Sequence, residues 1–201
     1  MSGKLVDLYD LFRERAGAVS TRVIRVADYH AAAGALAEII DREKAGKIVA
    51  DSSGMVNRCV QILREKSVIC VNGEGGRNLP ALFFDGLRKN AEDADMGLSE
   101  MAVGVAETGS LAGDCTSVES RLVSTLPPIH VVLMPASNIV ATPGEAIEKF
   151  YSLPGKTPGY LSFITGPSRT ADIERVLTIG VHGPEKLYVI LVGETGGGCD
   201  G

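Results

Sequence analysis

Thr165-Gly166-Pro167-Ser168-Arg169-Thr170-Ala171-Asp172-Ile173-Glu174, followed by Gly180-Val181-His182-Gly183-Pro184, is the stretch whose reading decides the fold. Its polar residues gather at two glycine–proline corners. An apolar run, Tyr160 to Ile164, precedes the first corner, and another, Leu187 to Val192, follows the second. This spacing predicts a strand, a Gly-Pro corner, a short helix, a second corner carrying His182, and a closing strand. A strand–helix–strand unit of this kind belongs to a parallel α/β sheet. The first corner is then expected beyond the carboxyl end of a strand, where such folds bind ligands.

Outward from this unit the chain alternates in the same way. Leu5, Leu8, Leu11 and Phe12 recur at helical spacing and predict an amphipathic helix over 4–16. Thr21 to Val26 reads as a strand, and Asp28 caps an alanine-rich helix that runs to about Lys44 and is closed by Gly46. Lys47 to Ala50 predicts a short strand. Ser52-Ser53-Gly54 then turns into a helix reaching about Arg64, and Ser67 to Val71 reads as a strand buried on both faces. Leu79 to Asn90 is assigned to a helix with Pro80 in its first turn. Leu122 to Thr125 and Ile129 to Met134 read as strands, and Pro127-Pro128 between them predicts a bend or a sheet edge. Pro143 to Phe150 starts a helix, and Ser152 to Gly159 is a loop. The alternation defines an α/β class with a mainly parallel layered sheet and irregular antiparallel additions over Met96–Val140. Residues 1–195 are expected to form one domain with a leading helix, and glycine-rich 196–201 a flexible tail.

Composition narrows the function. The chain has 201 residues, 45% hydrophobic and 22% charged, as expected for one soluble globular domain. A net charge of -5 argues against nucleic acid as the main partner, because phosphate neutralisation needs clustered Lys and Arg. No apolar run reaches the roughly 18 residues of a spanning helix, so membrane insertion is not expected. The charged start, Met1 to Asp10, does not read as a signal peptide, and a cytoplasmic location is the simplest expectation. Cys59, Cys70, Cys115 and Cys199 lie far apart, without the close spacing of metal or iron–sulfur ligands, so neither is expected in this chain.

Three clusters carry candidate chemistry. Ala106-Glu107-Thr108-Gly109-Ser110 sets a carboxylate beside hydroxyls and a glycine. Glu107 there is either a base, metal ligand or nucleophile, or a solvated turn residue. Leu126-Pro127-Pro128-Ile129-His130 brings His130 into an apolar strand, either as a hydrogen-bonded core residue or as a ligand-binding one. At the opening stretch, Ser168 and Thr170 are natural N-caps whose following amides favour an anion, phosphate or carboxylate. Asp172 and Glu174 already complement that helix end. His182, with an ordinary pKa of about 6.5, either moves protons, binds a metal or pins a loop. Val71 to Asn78 resembles a dinucleotide loop but lacks the last small residue of the fingerprint, and no flavin or nicotinamide motif is present.

Taken in order, Ala106-Glu107-Thr108-Gly109-Ser110, Leu126-Pro127…His130 and the Thr165–Pro184 stretch resemble the lactate-utilisation (LUD) domain family, in particular its lactate-utilisation protein C branch. Gly97 to Gly104, and Ser110 in place of a common threonine, depart from the family's usual pattern. The resemblance covers nearly the whole chain and implies a fold similar to ribose-5-phosphate isomerase and CoA transferases. It also implies a role with iron–sulfur partner proteins in oxidising L-lactate to pyruvate, the clusters residing in the partners. In that frame Glu107, His182 and Asp172 are the expected catalytic residues, with His182 taking the hydroxyl proton of a hydroxy acid. Thr108, Gly109, His130, Thr165, Gly166, Ser168 and Thr170 are expected to hold a small carboxylate or other anion. Two alternatives stand beside this: Glu107 as the nucleophile of a CoA transferase-like enzyme, and a non-catalytic ligand-binding or scaffold subunit.

Overall fold

The computed structural model describes residues 7–71, 80–152, 159–170, 178–179 and 183–193. In chain order the elements are α1 (Leu8–Ala18), β1 (Thr21–Val26), α2 (Tyr29–Glu43), β2 (Lys47–Ala50), α3 (Gly54–Val71), β3 (Ala81–Phe83), α4 (Leu87–Asn90), β4 (Met96–Glu100), β5 (Val103–Val105) and β6 (Ser110–Asp114). They continue with α5 (Val118–Thr125), β7 (Ile129–Pro135), β8 (Ile139–Val140), α6 (Pro143–Ser152), β9 (Leu161–Ile164), β10 (Arg169–Thr170), β11 (Thr178–Ile179) and β12 (Lys186–Val192).

Six strands pair side by side, all parallel, in the order β1-β12-β7-β4-β2-β3. Central β7 and β12 are apolar almost throughout because both their faces are covered. Alternate residues serve opposite faces. Val131, Leu133 and Ile190 pack under Leu36 and Ile39 of α2 and Val56 and Val60 of α3. Val132, Met134, Val189 and Leu191 face Phe12 and Ala16 of α1 and Leu111 of β6. A second, four-stranded sheet, β8-β5-β6-β9, lies on that side, with β6 antiparallel to both β5 and β9. Ala146 and Phe150 of α6 close its outer face over Val103, Val105 and Ala112. Asp28 caps α2, its carboxylate accepting from the Ala31 amide at 2.8 Å.

Several elements differ from the sequence reading, each for a physical reason. Val71 ends a helix, not a strand: no glycine or proline separates it from Arg64, so α3 propagates through the β-branched run. Leu79–Asn90 is not one helix. Ala81–Phe83 pairs with Lys47–Val49 as an edge strand, and Gly86, at φ 58°, opens only the four residues of α4. Leu122–Thr125 is helical because Ser117 caps α5 from its side-chain oxygen, and Ser124 bonds back to the Ser120 carbonyl. Pro127-Pro128 lies in a bend between α5 and β7, as expected, and not at a sheet edge. The prolines precede β7, which is paired on both sides, and the Pro128 carbonyl accepts from Glu185 and Lys186 at the start of β12. Lys44, not Gly46, takes the left-handed conformation that ends α2.

The opening stretch departs most. β9 pairs antiparallel with β6 in the second sheet, so the Gly166-Pro167 corner does not lie at the carboxyl edge of the parallel one. The half-exposed pattern of β9 suits a sheet covered on one side, and Phe163 is 42% exposed. Arg169 and Thr170 form an antiparallel ribbon with Thr178 and Ile179, and the helix expected after Thr170 lies outside the described residues.

Candidate functional site

The Glu107-Thr108-Gly109 turn joins β5 to β6. Its glycine has φ 66°, and a Cβ there would stand 2.2 Å from the Ala16 amide nitrogen. Gly166, at φ 72°, would bring a Cβ within 2.5 Å of the Val19 carbonyl oxygen. Both motif glycines therefore let their turns rest on the carboxyl-terminal end of α1, a close approach between backbones that side chains forbid. The antiparallel register that sets Leu111 against Ile164 also brings Ser110 beside Thr165. A chain of hydroxyls results: Thr108 Oγ1 to Ser110 Oγ is 2.7 Å, and Ser110 Oγ to Thr165 Oγ1 is 2.7 Å. Glu107 is exposed at the tip of the turn, tethered through its amide to the Ala141 carbonyl at 3.0 Å.

His130 lies near the amino end of β7 and is fully buried. Its Nε2 is 2.7 Å from Ser99 Oγ on neighbouring β4, while Nδ1 has no hydrogen-bond partner among the described residues. Burial lowers its pKa to about 4, so the imidazole is neutral near pH 7. His130 is among the residues around a hollow of about 190 Å³, with Thr125, Gly166, Ser168, Gly183 and Leu187. The Ser168 amide donates to the Pro184 carbonyl at 2.8 Å, fixing one wall.

The residues singled out from sequence thus fall into two adjoining groups. Thr108, Gly109 and Thr165 meet along the hydroxyl chain; His130, Gly166 and Ser168 meet around the hollow; the Thr165–Gly166 bond joins them. The Glu107 carboxylate borders neither this hollow nor the larger cleft described next. Asp172 and His182 lie outside the described residues, as does the side chain of Thr170.

Sequence reasoning missed Ser99, Asp51 and Glu100. The last two stand at a cleft of about 640 Å³ at the carboxyl ends of β2 and β4. The connection after β2 leads outward to β3 and that after β4 inward to β7, so the cleft sits where the strand order switches direction. Asp51 accepts the amides of Ser53 and Glu100, each at 3.1 Å, and Glu100 accepts the Met55 amide at 3.0 Å. Burial pushes the Asp51 carboxyl above its usual range, against the bonds from Ser53 and Glu100. Asp114 and Glu119 add two more carboxylates, and no Lys, Arg or His lines the cleft among the described residues. Four carboxylates with no cation among the described lining residues make the cleft disfavour anions. No group of three or more His, Cys, Asp or Glu side chains converges as a metal ion requires, among the described residues. The signal for Asp51 was the Asp-Ser-Ser-Gly run after a strand; Glu100 and Ser99 gave none.

A parallel sheet with a second mixed sheet on one face, and the Glu-Thr-Gly turn docked beside the Thr165–Gly166 corner, define the class: this chain belongs to the LUD domain family, whose model matches residues 9–192. The similar proteins are particular. The chain is 37% identical over 106 residues to lactate utilization protein C of Shouchella clausii, covering 52% of this chain and 46% of that one. It is 36% identical over 109 residues to the protein of the same name from Bacillus subtilis, covering 53% and 45%. The chain spans about half the length of these curated relatives. In structure it is similar to a DUF162 family protein from Deinococcus radiodurans, with a TM-score of 0.64 at 21% identity over 92% of this chain and 96% of that one.

Proposed function

We propose that this chain acts in the oxidation of L-lactate to pyruvate, as the subunit that holds the small carboxylate while iron–sulfur partner proteins accept the electrons. Membership of the LUD family and similarity to proteins named for lactate utilization support the process. The observation that carries the site is the Thr165–Gly166 junction, which joins a run of hydroxyls to a hollow bordered by a neutral histidine. In this reading the hydroxyls and the hollow hold the acid. His182 takes the hydroxyl proton, Glu107 and Asp172 are the other residues assigned to catalysis, and two electrons with the second proton leave to the partners.

The test is genetic and biochemical. Deletion is expected to abolish growth on L-lactate as sole carbon source, and co-purification from the host to recover iron–sulfur proteins. His182→Ala and Glu107→Gln are each expected to lower lactate oxidation by the recovered complex at least tenfold. Normal growth of the deletion strain on L-lactate would overturn the reading. The exposure of Glu107 favours one alternative, in which the carboxylate attacks an acyl-CoA thioester and releases CoA as an acyl–glutamate anhydride forms. An acyl mass on Glu107 after incubation with acyl-CoA would support it. Full activity of all the variants in a complex that still requires the chain would favour a scaffold.

A further inference from the structure

The cleft at the carboxyl ends of β2 and β4 shares no lining residue with the His130 hollow, and binding a small carboxylate leaves it without a role. It sits where the strand order switches direction, the place at which open parallel sheets receive ligands. At about 640 Å³ it falls within the usual span of small-molecule sites, roughly 300–1,000 Å³.

The lining selects the class of molecule. Asp51 follows β2, Glu100 ends β4, Asp114 ends β6, and Glu119 stands exposed on the first turn of α5. The other polar side chains around the cleft are serines and Asn138, whose amide nitrogen donates to the Ala102 carbonyl at 2.9 Å. A ligand here must bring positive charge and hydrogen-bond donors. Among the described residues no three acids converge as a metal ion requires, so a bare divalent cation could not engage them together. An extended cation, with its charges several bonds apart, can. Phe84 and the buried Leu87 offer apolar surface to the methylenes between those charges.

We propose that this cleft binds a linear alkyl polyamine, its ammonium groups pairing with Asp51 and Glu100 at the strand ends and with Glu119 on α5. Glu100 has the capacity for it. It accepts the Met55 amide at 3.0 Å, one of the roughly four bonds an ionised carboxylate can take. Burial and the neighbouring Glu100 charge both push the Asp51 carboxyl up, and an ammonium beside the pair offsets the second cause. Binding forms hydrogen bonds and ion pairs only, and no covalent bond changes. The site stands or falls without the lactate role.

Calorimetry of the full chain with spermidine, 1,4-diaminobutane, butylamine and magnesium as probes tests this. Spermidine is expected to fill one site roughly tenfold more tightly than butylamine or magnesium, with the diamine between them. Added salt is expected to weaken it, as it screens exposed pairs. Glu119→Gln changes an exposed side chain, and Glu100→Gln keeps an oxygen for the Met55 amide. Each is expected to weaken spermidine about threefold. Glu38→Gln, exposed on α2 outside the cleft, is expected to leave the affinity unchanged. That control separates the cleft from general attraction to a chain of net charge -5. Absence of spermidine binding, equal affinity for butylamine or magnesium, or an affinity that ignores both cleft variants overturns the proposal. So does an equal loss in Glu38→Gln.

Discussion

His130 links a local environment to the stability of the whole chain. Its folded pKa of about 4 lies below an unfolded value of about 6.5, so the fold favours the neutral ring. The stability this confers is complete above pH 6.5 or so and is lost as pH falls from there to about 4, where the buried ring must charge or the protein unfold. A shift of this size corresponds to about 3 kcal/mol. His130→Asn leaves the buried Ser99 hydroxyl a hydrogen-bonding neighbour but removes the titration. Urea midpoints at pH 7.5 and pH 4.5 are expected to show the wild type losing about 3 kcal/mol more than the variant over that interval. Equal losses would mean that the ring is accessible to water and titrates as it does in the unfolded chain.

At the scale of elements, close approach decides as much as pattern. α5 lies on β4 where Gly97 bares the backbone: a Cβ there would stand 2.0 Å from the Val123 carbonyl oxygen. Gly97→Ala must push α5 away, and with it the Thr125 wall of the hollow. The expected cost is about 2–3 kcal/mol, read as a lower denaturation midpoint with unchanged slope. That contact was invisible in the sequence, where Leu122–Thr125 reads as a strand, because four residues carry too little period to separate helix from sheet. Longer segments read correctly. Thr21–Val26, the helix begun by Asp28, and the buried run ending at Val192 announce themselves by β-branching, a cap and continuous apolarity. The candidate site was legible in composition but not in cause. Gly109 and Gly166 read as glycines that admit a ligand, whereas their observed role is to rest on the end of α1. The Asp51–Glu100 pair depends on two strands meeting across 49 residues, which no local pattern records.

For the whole molecule, the parallel sheet separates two regions that play different parts. The face under α2 and α3 is a plain apolar core. The opposite face carries α1 and the second sheet, and the motif turns reach their positions only because α1 is held down. Phe12 does the holding: it is fully buried against the sheet residues of that face, one helical turn before Ala16, on which Gly109 rests. Phe12→Ala is expected to cost about 3–5 kcal/mol, the loss of a buried aromatic plus the cavity left behind. The cost should be unevenly distributed, because α1 touches the Glu107 turn and the Thr165–Gly166 corner but not the α2–α3 core. Hydrogen exchange is therefore expected to accelerate first at the amides of Gly109 and Ala112, on the turn and on β6, while those within α2 keep their protection until global unfolding. Uniform acceleration across both faces would show that the molecule opens as one unit and that α1 has no separate hold on the site. Acceleration confined to the second sheet would instead make the first helix the element through which binding at the hydroxyl chain and stability of the fold are coupled. In that case a ligand bridging Thr165 and the His130 hollow would restore protection to the Phe12→Ala variant in proportion to its affinity.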